Sequence, residues 1–157
     1  MTEIRGTFDA HGRRFAIVAA RFNEIVVEKL VHGALACFLA HGLTEEDVVV
    51  AWVPGAFELP LLAKRLAETG LYDGIVCVGA VIRGETPHFD YVAAEAARGI
   101  QRAALDTGIP ILFGVLTTDS MDQALDRAGG KHGNKGWDSA MGAMQMASVL
   151  DQVPTKE

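Results

Sequence analysis

The sequence predicts an α/β fold: a three-layer sandwich with a four-stranded parallel, flavodoxin-like sheet and helices on both faces, plus a short N-terminal strand. Three observations lead there. Four short runs are almost wholly apolar: FAIVAA from Phe15, VVVAWV from Val48, IVCVGAVI from Ile75 and ILFGVL from Ile111. Stretches with helical periodicity fill the intervals between them. Each run is too continuously apolar for a sheet with one wet face, so each reads as a strand covered on both sides. Repeated strand and helix in one sheet then require parallel pairing and right-handed crossovers.

The elements follow in order. Residues 4–8 are short, end in Asp9-Ala10-His11-Gly12 turn chemistry, and read as an edge strand added either to this sheet or to a neighbour's. The first helix spans about residues 24–41, with Val27, Val31, Ala34 and Phe38 on one face and Gly42 as its stop. A second begins near Glu58 with Pro60 in its first turn and ends at Gly70. A third covers about residues 90–107 and is broken by Gly108-Ile109-Pro110. The fourth is short, residues 121–128, and Ser120 with Gln123 matches a capping box. The fifth, about residues 137–150, places Trp137, Met141, Met144 and Ser148 along one side. No internal repeat, linker or low-complexity segment interrupts the pattern.

Bulk composition narrows the function classes. A chain of 157 residues suits one domain, residues 1–157, with 1–14 as an N-terminal strand or arm and 151–157 as a C-terminal tail. A net charge of −6 without any Lys/Arg-rich run argues against a nucleic-acid binder. The apolar runs fall far short of the roughly 20 residues needed to cross a bilayer. The opening stretch has no signal-peptide apolar region, so the expected location is cytoplasmic. Cys37, in a helical pattern, and Cys77, in a strand, read as reduced core residues. The five histidines show no ligand spacing, so no metal site is expected.

In open parallel sheets, ligands bind beyond the carboxyl ends of the strands. That rule selects Arg21-Phe22-Asn23, the loop Pro54-Gly55-Ala56-Phe57-Glu58, residues 83–89, and Thr117-Thr118-Asp119. In the third loop, backbone N–H groups and the Thr86 hydroxyl can face an anion at a helix start, or the segment is an ordinary tight turn. His88 can move protons near neutral pH, or is merely exposed. Glu58 either favours its own helix start through the dipole or grips the hydroxyls of a polyol. Phe22 is either core or a ring at the pocket mouth that stacks on a planar heterocycle. The basic, glycine-rich stretch 127–136 is a solvated loop or a phosphate-neutralising arm. No Walker loop, GxGxxG or Ser-His-Asp arrangement is recognisable.

These loops resemble the lumazine synthase (6,7-dimethyl-8-ribityllumazine synthase) family over nearly the whole chain. The most specific parts are RFN (21–23), VPGAFELP (53–60), GAVIRGETPHFDYV (79–92), GVLTTD (114–119) and QALDRAGGKHGNKGWDSA (123–140). The resemblance implies a condensation without cofactor. It would join 5-amino-6-ribitylaminouracil to 3,4-dihydroxy-2-butanone 4-phosphate, giving 6,7-dimethyl-8-ribityllumazine, phosphate and water, the penultimate step of riboflavin biosynthesis. It assigns Phe22 to the pyrimidine, Ala56, Phe57 and Glu58 to the ribityl chain, and Asn23 to substrate binding. Ala80, Val81 and Ile82 take the heterocycle's polar edge. Glu85, through its backbone N–H, and Thr86 take the phosphate, and His88 is the catalytic proton donor. Phe113 and Arg127 come from a neighbouring subunit, and Lys135 reaches the same phosphate edge.

The resemblance also implies homo-pentamers, twelve of which close into an icosahedral shell of sixty chains in many members, with a riboflavin synthase as a further partner. One departure is Ala93-Ala94-Glu95, where the family pattern has an asparagine before the glutamate; it lies on the third helix, outside the ligand loops. The alternative reading is a non-catalytic flavin- or lumazine-binding module, or a shell protein, on the same fold. The binding module has no need of Thr86, His88 and Arg127 together, and the shell protein predicts particles without turnover.

Overall fold

Side chains alternate across a strand, so a run buried on both faces must feed two cores. Phe15–Ala20 forms β1, buried throughout. Phe15, Ile17 and Ala19 enter one core, and Ala16, Val18 and Ala20 enter the other. With β2 (Val48–Val53), β3 (Gly74–Ile82) and β4 (Ile111–Thr118), β1 makes a parallel sheet of order β2-β1-β3-β4. This is the expected flavodoxin-like order. The computed structural model describes residues 1–156; Glu157, the end of the expected tail, lies outside them.

Helices α1 (Glu24–Ala40) and α5 (Lys135–Asp151) cover one face, and α2 (Leu59–Glu68) and α3 (His88–Thr107) cover the other. The first core is anchored by the stacked rings of Phe15 and Phe38, 4.7 Å between centroids. Such a pair contributes about 0.5–1.5 kcal/mol beyond the area it buries. Pro60 sits in the first turn of α2, preceded by a 3-10 turn at Ala56–Glu58. Helix α1 has Gly42 shortly after its end, and Gly108, at φ 70°, closes α3.

Several details differ from the expectation. Helix α5 begins at Lys135 rather than about residue 137 because Asn134 caps it there. Helix α3 begins at His88, two residues early, because the chain turns helical directly after Pro87. Helix α4 (Met121–Asp126) stops short because Ala128 enters a small antiparallel ribbon, β5 (Ala128–Gly130) with β6 (Gly133–Asn134). Its cap is half a box: Ser120 Oγ accepts from Gln123 N at 3.2 Å, but Gln123 Oε1 accepts from Asp119 N at 2.7 Å. The outer strands are not covered on both faces, since Val50 and Trp52 on β2 and Phe113 and Thr117 on β4 are exposed. A continuous apolar run marks a strand without distinguishing an edge from a centre.

Residues 4–8 do not pair with this sheet. The segment lies along α5: Thr7 N donates to Ser148 Oγ (3.1 Å) and Gln152 Nε2 to the Arg5 carbonyl (2.7 Å). Gly6 permits the approach, because a Cβ there would stand 2.3 Å from the Gln145 carbonyl oxygen. No helix among the described residues is long and apolar enough to cross a membrane.

Both cysteines are free and buried, and burial pushes each thiol up to about 12. The thiolate is the reactive form, so neither should react in the folded protein. A thiol reagent at pH 8 is expected to leave the native chain unlabelled and to modify both cysteines once denaturant is added. Rapid labelling of either before unfolding would contradict this packing.

Candidate functional site

Chain order reverses between β1 and β3: α1 leaves β1 toward one face of the sheet and α3 leaves β3 toward the other. The crevice between the two departing chains is where this fold binds ligands. Three backbone devices shape it. Asn23 adopts a left-handed conformation (φ 62°, ψ 44°), which asparagine tolerates better than most residues. It makes no side-chain cap to α1; its Nδ2 donates instead to the Ala80 carbonyl at 2.8 Å, across the crevice. Arg21 N to Val53 O (2.8 Å) and Phe22 N to Pro54 O (3.1 Å) then tie the turn to the end of β2. Phe22 is therefore held clear of the core, 73% exposed.

The loop after β2 does the same for a second ring. Gly55 is extended, Ala56 is buried, and the 3-10 turn leaves Phe57 59% exposed with Glu58 exposed beside it. Between these two loops and the end of β3 lies a cavity of about 670 Å³. Ten expected residues line it: Phe22, Asn23, Ala56, Phe57, Glu58, Ala80, Val81, Ile82, Thr86 and His88. Glu85 is exposed in the same loop as Thr86 but does not line the cavity.

Phe113, Arg127 and Lys135 are elsewhere. They line a second cavity of about 440 Å³ with Thr117, Thr118, His132 and Asp138. Arg127 follows α4 and its Nη1 donates to the Gln123 carbonyl at 3.0 Å. Lys135 opens α5, and its N–H donates to the Arg127 carbonyl at 2.9 Å, so the two cations are tied through their backbones. One chain thus carries two separate cavities: a large one rich in aromatic rings, and a smaller one lined by cations.

Sequence reasoning missed some of the lining. Phe89, Tyr91 and Val92 also face the first cavity. His88, Tyr91 and Val92 have the i, i+3, i+4 spacing of one helical face, a signal visible only when α3 is started at His88. Arg83 lies inside the selected loop 83–89, but its tethering role is not legible in the sequence. Its Nε donates to Asp119 Oδ1 (3.1 Å), its Nη1 reaches Asp90 Oδ1 (3.4 Å), and its guanidinium lies 4.3 Å from the centre of the Phe89 ring. Half-exposed ion pairs of this kind contribute little energy. Their geometric effect is to fasten the loop bearing Thr86 to the end of β4 and to the start of α3.

The first cavity offers two exposed rings for a flat heterocycle, a carboxylate for hydroxyl donors, and a helix N-terminus with a hydroxyl and an imidazole. The second offers cations for an anion. No three His, Cys, Asp or Glu side chains among the described residues converge so as to hold a metal ion.

Comparison with known proteins agrees with this chemistry. The sequence profile of the 6,7-dimethyl-8-ribityllumazine synthase family matches residues 12–151. The chain is 54% identical over 149 residues to a protein of Desulfatibacillum aliphaticivorans named 6,7-dimethyl-8-ribityllumazine synthase, covering 95% of this chain and 96% of that one.

Rings exposed this far contribute little to folding. Phe22→Ala and Phe57→Ala are each expected to change unfolding free energy by less than about 0.5 kcal/mol, measured by urea denaturation. A loss of about 3 kcal/mol, the scale of a buried phenylalanine, would mean that the rings belong to a core.

Proposed function

This chain belongs to the 6,7-dimethyl-8-ribityllumazine synthase family, and we propose that it condenses 5-amino-6-ribitylaminouracil with 3,4-dihydroxy-2-butanone 4-phosphate. Membership makes it a transferase of lumazine synthesis in riboflavin biosynthesis. The observation that carries the finer reading is the first cavity, where two exposed rings, Glu58, Thr86 and His88 face one space at the switch point of the sheet.

In this reading Phe22 stacks on the pyrimidine and Asn23 borders it. Ala80, Val81 and Ile82 meet its polar edge with backbone groups. Ala56, Phe57 and Glu58 hold the ribityl chain, Glu58 accepting its hydroxyl hydrogen bonds. Glu85, through its backbone N–H, and the Thr86 hydroxyl take the phosphate. The ring amine attacks the ketone to give an imine and one water. Phosphate is then eliminated, and ring closure releases the second water. His88 supplies and recovers protons along the way. No cofactor takes part: the carbonyl is already electrophilic and phosphate leaves as a stable anion.

Phe113, Arg127 and Lys135 complete the site from a neighbouring subunit. Support comes from their separate cavity and from the exposed apolar side chains Val50, Trp52 and Phe113 on the sheet edges. The assembly is a homo-pentamer, twelve of which close into a shell of sixty chains, and a riboflavin synthase that consumes the product is its protein partner.

Holding two reactants together supplies most of the rate, since effective molarities reach on the order of 10⁵ M or more. A positioned proton carrier adds roughly 10²–10⁴-fold. Purified protein mixed with both substrates should form lumazine, followed by absorbance and fluorescence, with one phosphate released per lumazine, well above the spontaneous rate. Product or riboflavin binding without acceleration would leave only a binding module. His88→Ala is expected to slow turnover without abolishing it, and Arg127→Ala chiefly to raise KM for the phosphate substrate. A wild-type rate in the first variant, or an unchanged KM in the second, would overturn those roles.

A further inference from the structure

Asn134 stands between the two cations of the second cavity and the rest of the molecule. Its Oδ1 accepts from Gly136 N (2.8 Å) and Trp137 N (3.1 Å), capping α5, while its Nδ2 donates to the Lys29 carbonyl in α1 (3.0 Å). Both ends of one amide are committed, to two different helices. The fit leaves no space. A Cβ at Gly33 would lie 2.2 Å from Asn134 Oδ1 and 2.4 Å from its Cγ, and a Cβ at Gly136 would lie 2.0 Å from the Leu30 carbonyl oxygen.

The same residue is fixed to the cationic arm. Asn134 pairs with Ala128 across the β5–β6 ribbon, next to Arg127, and the following residue, Lys135, donates its N–H to the Arg127 carbonyl at 2.9 Å. The stretch 127–136 contains four glycines, and a glycine-rich segment loses more conformational freedom on ordering than any other. Left free, it would carry its cations over many positions and would have to be ordered each time an anion bound.

We propose that Asn134 is a positioning residue for the phosphate-bearing substrate. By clamping the ribbon onto α1, it holds Arg127 and Lys135 at a fixed place and spacing before the substrate arrives. This rests on the reading of the second cavity as the phosphate half-site. Gly33 belongs to the same device, since only glycine there admits the amide.

The test separates the clamp from the cap. Asn134→Asp keeps an acceptor for the first turn of α5, where a carboxylate is favourable, but sets an oxygen against the Lys29 carbonyl. KM for the phosphate substrate is expected to rise on the order of tenfold, with kcat within about threefold and KM for the pyrimidine unchanged. Gly33→Ala should raise the same KM by displacing Asn134. In an Asn134→Ala background, which removes the atoms it would strike, Gly33→Ala should add nothing. An unchanged phosphate KM in Asn134→Asp, equal rises in KM for both substrates, or additive effects of Gly33→Ala and Asn134→Ala would each overturn the inference. A wild-type enzyme that forms no lumazine overturns the functional reading itself, whereas a turning-over wild type with an unaffected Asn134→Asp variant overturns only the clamp.

Discussion

Parallel pairing of β1 with β3, side by side although β2 lies between them in the chain, determines where everything else goes. A parallel neighbour needs a crossover, and the crossovers here leave the sheet on opposite faces. The backbone therefore parts at the carboxyl ends of β1 and β3 and cannot close over the gap. Burial of both faces of β1 and β3 makes this arrangement rigid, so the loops at the gap need supply no stability. They are free to expose rings, bend a non-glycine residue into the left-handed region, and direct a helix N-terminus at the opening.

Hydrogen bonds across the gap convert that freedom into definite geometry. The amide of Asn23 spans from the β1 turn to the Ala80 carbonyl, and Arg83 spans from the β3 loop to the β4 end and the start of α3. The second cavity is built by other means: a short ribbon and a pair of helices packed so closely that two positions must be glycine. In the proposed reading the first cavity takes the planar, hydroxylated reactant, with Thr86 at its phosphate edge, and the second, apart from it, supplies cations to that phosphate. The proposed condensation needs both reactants within bonding distance, and on that reading one copy's first cavity would be apposed to another copy's second. The uncovered faces of the edge strands are consistent with the same arrangement.

Much of this was legible in the sequence. Four apolar runs gave the four strands, because continuous hydrophobicity survives wherever two helical layers cover a sheet, and their strand ends gave the loops that surround the first cavity. Three kinds of feature were not legible. Edge exposure was missed because Val50 and Trp52 look like any other strand residues until their neighbours are known. Tyr91 and Val92 share a face with His88 only in a helix that begins at His88, and Pro87 just before it hides that start in the sequence. The β5–β6 ribbon is local, but its strands are too short and glycine-rich to show an alternating pattern. The clamp at Asn134 arises from a contact between residues about a hundred positions apart, Lys29 with Asn134, which no local pattern records.

Apposition of two half-sites from different copies can be measured by subunit complementation. One variant carries Glu58→Ala with His88→Ala in the first cavity; another carries Phe113→Ala with Arg127→Ala in the second. Each alone has every site damaged. Unfolded together and reassembled at equal amounts, random mixing around a ring joins two intact halves at about a quarter of the junctions. Lumazine formation should then recover to about that fraction of the wild-type rate. Activity no greater than the sum of the two separate variants, in oligomers shown to be mixed, would mean that each chain carries its site alone, and the division of labour between the two cavities would have to be abandoned.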